Sequence, residues 1–220
     1  MNEREIIGVI ETKSELSLPV WSVSNYLDNT MSNYLKLMTL RELSRKFIEG
    51  ASDEDFLISV NSYDIFPMLE GFTHHENELI ILTSKDRSPK DFWYYFRHLH
   101  RPIVLFRSNN GFIPLYEINT ILDLRINSLS VQSPVSFSLQ GSLGVLVDLF
   151  AGKIFAQREN ERNALAIDNL ERIVRTSHLI EDNRTPQGVR EYAVDQIEAI
   201  MNKQVRINDK LGIDQVEIRR

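Results

Sequence analysis

The sequence predicts an α+β fold: a mixed, partly antiparallel sheet with packed helices, followed by a C-terminal helical hairpin. Three features predict it. Short runs rich in Ile, Leu and Val, such as Phe56 to Val60 and ELIILT at 78–83, are bounded by polar or turn residues and are too short for helices. The runs PIVLFRS and GFIPLYEI flank Asn109, Asn110 and Gly111, a turn cluster that joins two strands as a hairpin. Beyond about Ser133 the texture changes to long segments with apolar residues at helical spacing. The chain therefore divides into an α+β domain at 1–133, a helical hairpin at 134–205 and a tail at 206–220.

Taken in order, EIIGVIE at 5–11 reads as a strand, and LSLPVWSV at 16–23 as another, with Pro19 placing it at an edge or a bend. Leu37, Leu40, Phe47 and Ile48 then fall near helical spacing over about 33–49, and Gly50 offers a stop. Ser88 and Pro89 have the residue types of an N-cap and a first helical position, so DFWYYFRHLH predicts a helix of roughly three turns. Leu122, Leu124 and Ile126 alternate with Asp123, Arg125 and Asn127, the pattern of a strand with one buried face.

In the C-terminal part, Leu143, Leu146, Val147, Phe150 and Ile154 form one helical stripe, continued by Leu165, Ile167, Leu170, Ile173 and Val174. After the polar loop SHLIEDNR, Thr185 and Pro186 restart a helix whose face is marked by Val189, Tyr192, Ala193, Ile197, Ile200 and Met201, ending near Val205. The remainder reads either as a frayed tail or as a short closing strand.

Composition bounds the chemistry. With no cysteine among 220 residues, disulfides, thiolate metal sites and cysteine nucleophiles are excluded. The net charge of −6 argues against a surface built to neutralise phosphates, and residues 1–140 carry 13 basic and 18 acidic side chains, 13 − 18 = −5. No apolar run approaches the roughly 18 to 20 residues that span a bilayer. The acidic N-terminus lacks the basic-then-apolar pattern of a signal, so a cytoplasmic location is the expectation.

The stretch SFSLQGSLGVLVDLFAGKIF at 136–155 has the outline of a strand, a glycine turn and a helix, which invites a phosphate-cradling reading. That reading would use Gly141, Ser142 and Gly144 as anion-binding residues, helped by Arg97 and Arg101, and would make the chain a nucleotide- or anion-binding enzyme or sensor. QGSLG matches neither GxGxxG nor GxxxxGK[ST] and supplies no lysine. The simpler expectation is a hinge, in which Gly141 lets the chain turn and Ser142 caps a packing helix.

Other constellations carry less. Five consecutive aromatics, Phe92 to Phe96, point all round a helix, so some pack in the core, leaving Tyr94 and Tyr95 to reach water. His74, His75 and Glu76, even with His98 and His100, lack a metal-ligand spacing, and no GxSxG elbow is present. No catalytic residue, metal or cofactor is expected.

The favoured expectation is a non-enzymatic protein–protein interaction or regulatory module. Its partner-binding residues would be Leu146, Phe150, Ile154, Leu170, Ile197 and Ile200, associating with a second copy or with another protein rather than with nucleic acid or a membrane surface.

Overall fold

The computed structural model describes residues 6–62, 79–81, 89–109, 111–116, 123–131, 134–151 and 187–219. Their order is β1 (Ile7–Ser14), α1 (Val20–Ile48), a 3-10 turn (Asp53–Asp55), β2 (Phe56–Ser62), β3 (Leu79–Ile81), α2 (Pro89–His98), β4 (Pro102–Ser108), β5 (Gly111–Pro114), β6 (Arg125–Ser130), β7 (Val135–Ser142), α3 over 143–151, α4 (Gln187–Lys210) and β8 (Ile213–Arg219). Two four-stranded sheets result, ordered β6-β7-β1-β8 and β3-β2-β4-β5. Every neighbouring pair is antiparallel. The mixed α+β composition thus matches the sequence expectation.

Contacts divide the chain into two compact units, and neither is a continuous segment. One comprises Met1–Leu37, Asn119–Leu179 and Ile197–Arg220, the other Met38–Ile118 and Ile180–Gln196. A linear division at 133 is what the change of texture suggests. The register explains the difference, because β1 pairs with β7 on one side and with β8 on the other, tying the chain's beginning to elements more than a hundred residues away.

In the first unit, one sheet face gathers Ile10, Thr12 and Ser14 of β1, Val135, Phe137 and Leu139 of β7, and Ile213 and Val216 of β8, all buried. Period-2 alternation sends their neighbours Glu11, Lys13, Gln140, Gln215, Glu217 and Arg219 to the opposite face. There Arg219 reaches Glu11 at 3.0 Å. Helix α1 lies on the apolar face, with the Tyr26 and Phe137 ring centroids 4.9 Å apart.

Strand β6 departs from the expected pattern. Rather than a strand with one face buried, all six of its residues are exposed. Ile126 pairs with Leu139 while Ser128 pairs with Ser138, so a bulge at Asn127 breaks the alternation and puts Ile126 and Leu129 on the same face. Asn127 Nδ2 donates to Ser138 Oγ at 3.3 Å across the bulge.

The second unit holds β3-β2-β4-β5. Phe47, at the end of α1, packs its ring tilted against that of Phe56, which meets Phe106. Leu57, Ile103 and Leu105 pack together between strands. Gly111 adopts φ 112 beside the β4–β5 turn, a conformation that L side chains resist, which is why glycine closes this hairpin. The N-cap position at Ser88 lies outside the described residues, and α2 opens on Pro89 as expected.

Two helices exceed their predicted bounds. The segment 16–23 is not a strand: α1 begins at Val20, with the Pro19 carbonyl accepting from the amides of Ser22 at 2.9 Å and Val23 at 3.3 Å. Residues 206–210, predicted as tail, continue α4, and 213–219 form the closing strand β8. Of the predicted hairpin, α4 and residues 143–151 are described, while 152–186, which would complete its first arm and loop, lie outside the described residues. Among the described residues no helix is long and apolar enough to cross a membrane.

Glu42, Arg45, Lys46 and Glu49 form an exposed ion-pair cluster at the end of α1, with contacts of 2.6 to 2.8 Å. Lys46, by its hydrogen bond, and then Arg45 hold the Glu49 carboxyl below the usual carboxylate range. A depressed carboxylate contributes stability above its unfolded pKa and loses it as pH falls through the folded value. Because the cluster is exposed and screened, Glu49→Gln is expected to cost no more than about 0.5 kcal/mol at neutral pH. The difference should shrink as pH falls from neutral to ~3, below the ordinary Glu pKa and toward the depressed folded one; urea midpoints of both proteins at the two pH values check it.

Candidate functional site

The predicted hinge at 141–144 is built differently from the sequence expectation. Gly141 and Ser142 are the last residues of β7, and Gly144 lies within α3. Gly141 sits directly opposite Gly8 of β1, and residues paired in this way face the same side of the sheet. Among the described residues only Gly50, Gly111 and Gly212 have positive φ, so Gly141 is not there for backbone freedom. It provides room instead. A Cβ at 141 would stand 2.7 Å from the Tyr34 hydroxyl, and one at Gly8 would stand 2.5 Å from Leu143 Cδ1. The glycine pair makes a flat spot on which Tyr34 of α1 and Leu143 of α3 rest.

Two of the amides at this turn are engaged. Ser142 N–H donates to the Tyr34 hydroxyl at 2.6 Å, and Leu143 N–H donates to the Ile6 carbonyl at 2.8 Å. Arg97 and Arg101 belong to the other compact unit, where Arg97 Nε donates to Gln196 Oε1 at 3.3 Å.

Among the predicted partner-binding residues, Leu146 and Phe150 are 0% and 1% exposed within the single chain, on a helix buried all round from Val145 to Ala151. Ile200 is likewise buried and Ile197 half-buried. Ile154 and Leu170 lie outside the described residues.

The aromatic helix sorts as its periodicity requires. Phe92, Trp93 and Phe96 are buried, with Trp93 stacked on Tyr192 of α4, while Tyr94 is exposed and Tyr95 half-buried. His98 packs its ring 4.4 Å from that of Tyr94. His74, His75 and Glu76 lie outside the described residues, and among the described residues no group of three or more His, Asp or Glu could hold a metal.

Periodicity did not point to the head of α1. Val20 is 76% exposed and Trp21 72%, next to exposed Pro19 and Leu16. Read as a strand, LSLPVWSV offers no reason to find these side chains together in water. The segment is held in place: Ser14 Oγ donates to the Leu211 carbonyl at 2.5 Å and accepts from Leu16 N–H at 3.2 Å. The Pro19 carbonyl anchors the first helical turn. A large exposed aromatic on an ordered helix end is preorganised for contact, and tryptophan is the residue most enriched where binding energy concentrates.

Sequence reading also missed a polar seam between α1 and α4 in the first unit. Thr30 and Asn33 of α1, and Gln204 and Asn208 of α4, are each no more than 1% exposed. Gln204 joins them: its carbonyl oxygen accepts from Asn33 Nδ2 at 2.9 Å, and its amide nitrogen donates to Thr30 Oγ1 and Asn208 Oδ1, both at 3.1 Å. Burial pushes the neighbouring Tyr26 phenol above its ordinary range, against the opposing effect of the Thr30 and Thr12 hydroxyls, so it stays protonated at neutral pH. Set beside known proteins, the chain matches no family model, no curated protein and no solved structure.

Proposed function

We propose that this chain is a non-enzymatic protein–protein interaction module and that it docks through the apolar head of α1. The observation that carries the reading is the pair Val20 and Trp21, the two most exposed large apolar side chains among the described residues, on a helix end tied down at Pro19 and Ser14. Isolated exposed apolar residues are ordinary, but Leu16, Pro19, Val20 and Trp21 are four exposed apolar residues within six positions. The partner is a second copy of the chain or another protein with an apolar pocket that accepts the indole.

A photo-crosslinking residue at position 21 tests it, compared with the same residue at exposed Ser24. A discrete crosslinked species from position 21 and none from 24 is expected, its mass telling self-association from a different partner. Equal labelling, or none, overturns the proposal. Trp21→Ser should abolish the crosslink-competent complex, read by light scattering or co-elution, while moving the unfolding free energy by no more than about 0.5 kcal/mol, the usual limit for surface substitutions.

A further inference from the structure

We propose that the uncharged seam between α1, α4 and β1 is an internal hydration site, in which ordered water is held by the Tyr26 and Thr12 hydroxyls, the Asn33 side-chain oxygen and the Asn208 side-chain nitrogen. Thr12, Tyr26, Thr30, Asn33, Gln204 and Asn208 are each 0% or 1% exposed. Their mutual hydrogen bonds, centred on Gln204, leave four polar atoms without a partner among the described residues: Thr12 Oγ1, Tyr26 Oη, Asn33 Oδ1 and Asn208 Nδ2. Buried polar groups in native proteins are almost always bonded to protein or to ordered water, so four such atoms in one contiguous cluster require a common explanation.

The chemistry selects the occupant. None of the six side chains carries a charge, so an ion would lie buried without a counter-charge. Two hydroxyls, one acceptor and one donor match a molecule that donates and accepts about equally and makes about three bonds, which water does. The Tyr26 hydroxyl lies by those of Thr30, on its own helix, and Thr12 of β1, near enough for both to favour the ionised phenol but without a bond of good geometry. A bridging water completes such an arrangement.

Oxygen-17 relaxation dispersion of the full chain counts long-lived internal waters without interference from exchanging hydroxyl protons. The count is expected to fall by at least one in Tyr26→Phe and in Asn208→Leu. A count equal in the wild type and both variants overturns the proposal. So does a higher urea midpoint for Tyr26→Phe, since deleting a dry, unpaired hydroxyl is stabilising. If neither variant folds, a high-resolution crystal structure of the wild type decides: water within hydrogen-bond distance of at least two of the four atoms supports the site, and direct pairing among them without water rejects it.

Discussion

Phe150→Asp is expected to abolish cooperative folding. The ring is 1% exposed, on a helix whose residues Val145 to Ala151 are all buried within the chain. The substitution removes a large apolar side chain and places a carboxylate where water does not reach. Loss of a core phenylalanine alone costs about 3–5 kcal/mol, and the added buried charge carries the effect toward the whole of a typical domain stability of roughly 5–15 kcal/mol. Circular dichroism and a urea titration check it: no native baseline at any protein concentration is the expected result. A folded protein that merely dissociates into a smaller species would instead place Phe150 at an interface.

The second large effect concerns the flat spot on the sheet. Gly141→Ala drives a methyl to 2.7 Å from the Tyr34 hydroxyl and to 3.0 Å from Tyr34 Cζ, and the neighbouring β1 strand leaves the backbone little room to retreat. Over-packing of this kind costs about 1–3 kcal/mol. Tyr34→Phe on its own removes the acceptor of the Ser142 amide, at roughly 1–3 kcal/mol for a buried donor left unpaired. Combined, the two should cost less than their sum, because the hydroxyl that the new methyl would strike is gone. A double-mutant cycle in urea reads the coupling. Strict additivity would mean that Gly141 is not there to make room for Tyr34.

What the sequence made legible was whatever followed a simple periodicity or an unambiguous local signal. Pro89 opens α2, the turn cluster ending at Gly111 joins β4 to β5, and the five-aromatic run divides into a buried trio, an exposed Tyr94 and a half-buried Tyr95. Buried polar residues hid part of the rest. Residues 32–40 of α1 are buried on every side, and Ser32, Asn33, Lys36 and Thr39 lie among them. On α4 the buried face runs Val189, Ala193, Gln196, Ile200, Gln204 and Asn208, turning polar where an apolar count looks for its next member. Polar side chains that bond one another across a helix pair satisfy burial without leaving a hydrophobic stripe, so α4 looked shorter than it is.

The stretch at 136–155 misled for a related reason. A glycine that accommodates a neighbour's ring and one that frees the backbone look identical in sequence. Only the register of Gly141 against Gly8, with Tyr34 above, separates them. The docking face was illegible because LSLPVWSV alternates like a strand, while a proline just before a helix gives the same local text. Once α1 starts at Val20, Trp21 has no sheet to enter and stands in water.

Amide hydrogen exchange of residues 143–151, followed as the protein is diluted, tests most directly whether the chain itself seals this helix. Slow exchange that is unchanged from concentrated to dilute solution is the result expected of a helix covered by its own chain. Protection that disappears on dilution would mean that a second molecule supplies the cover, and would move the docking face from the head of α1 to the stripe containing Leu146 and Phe150.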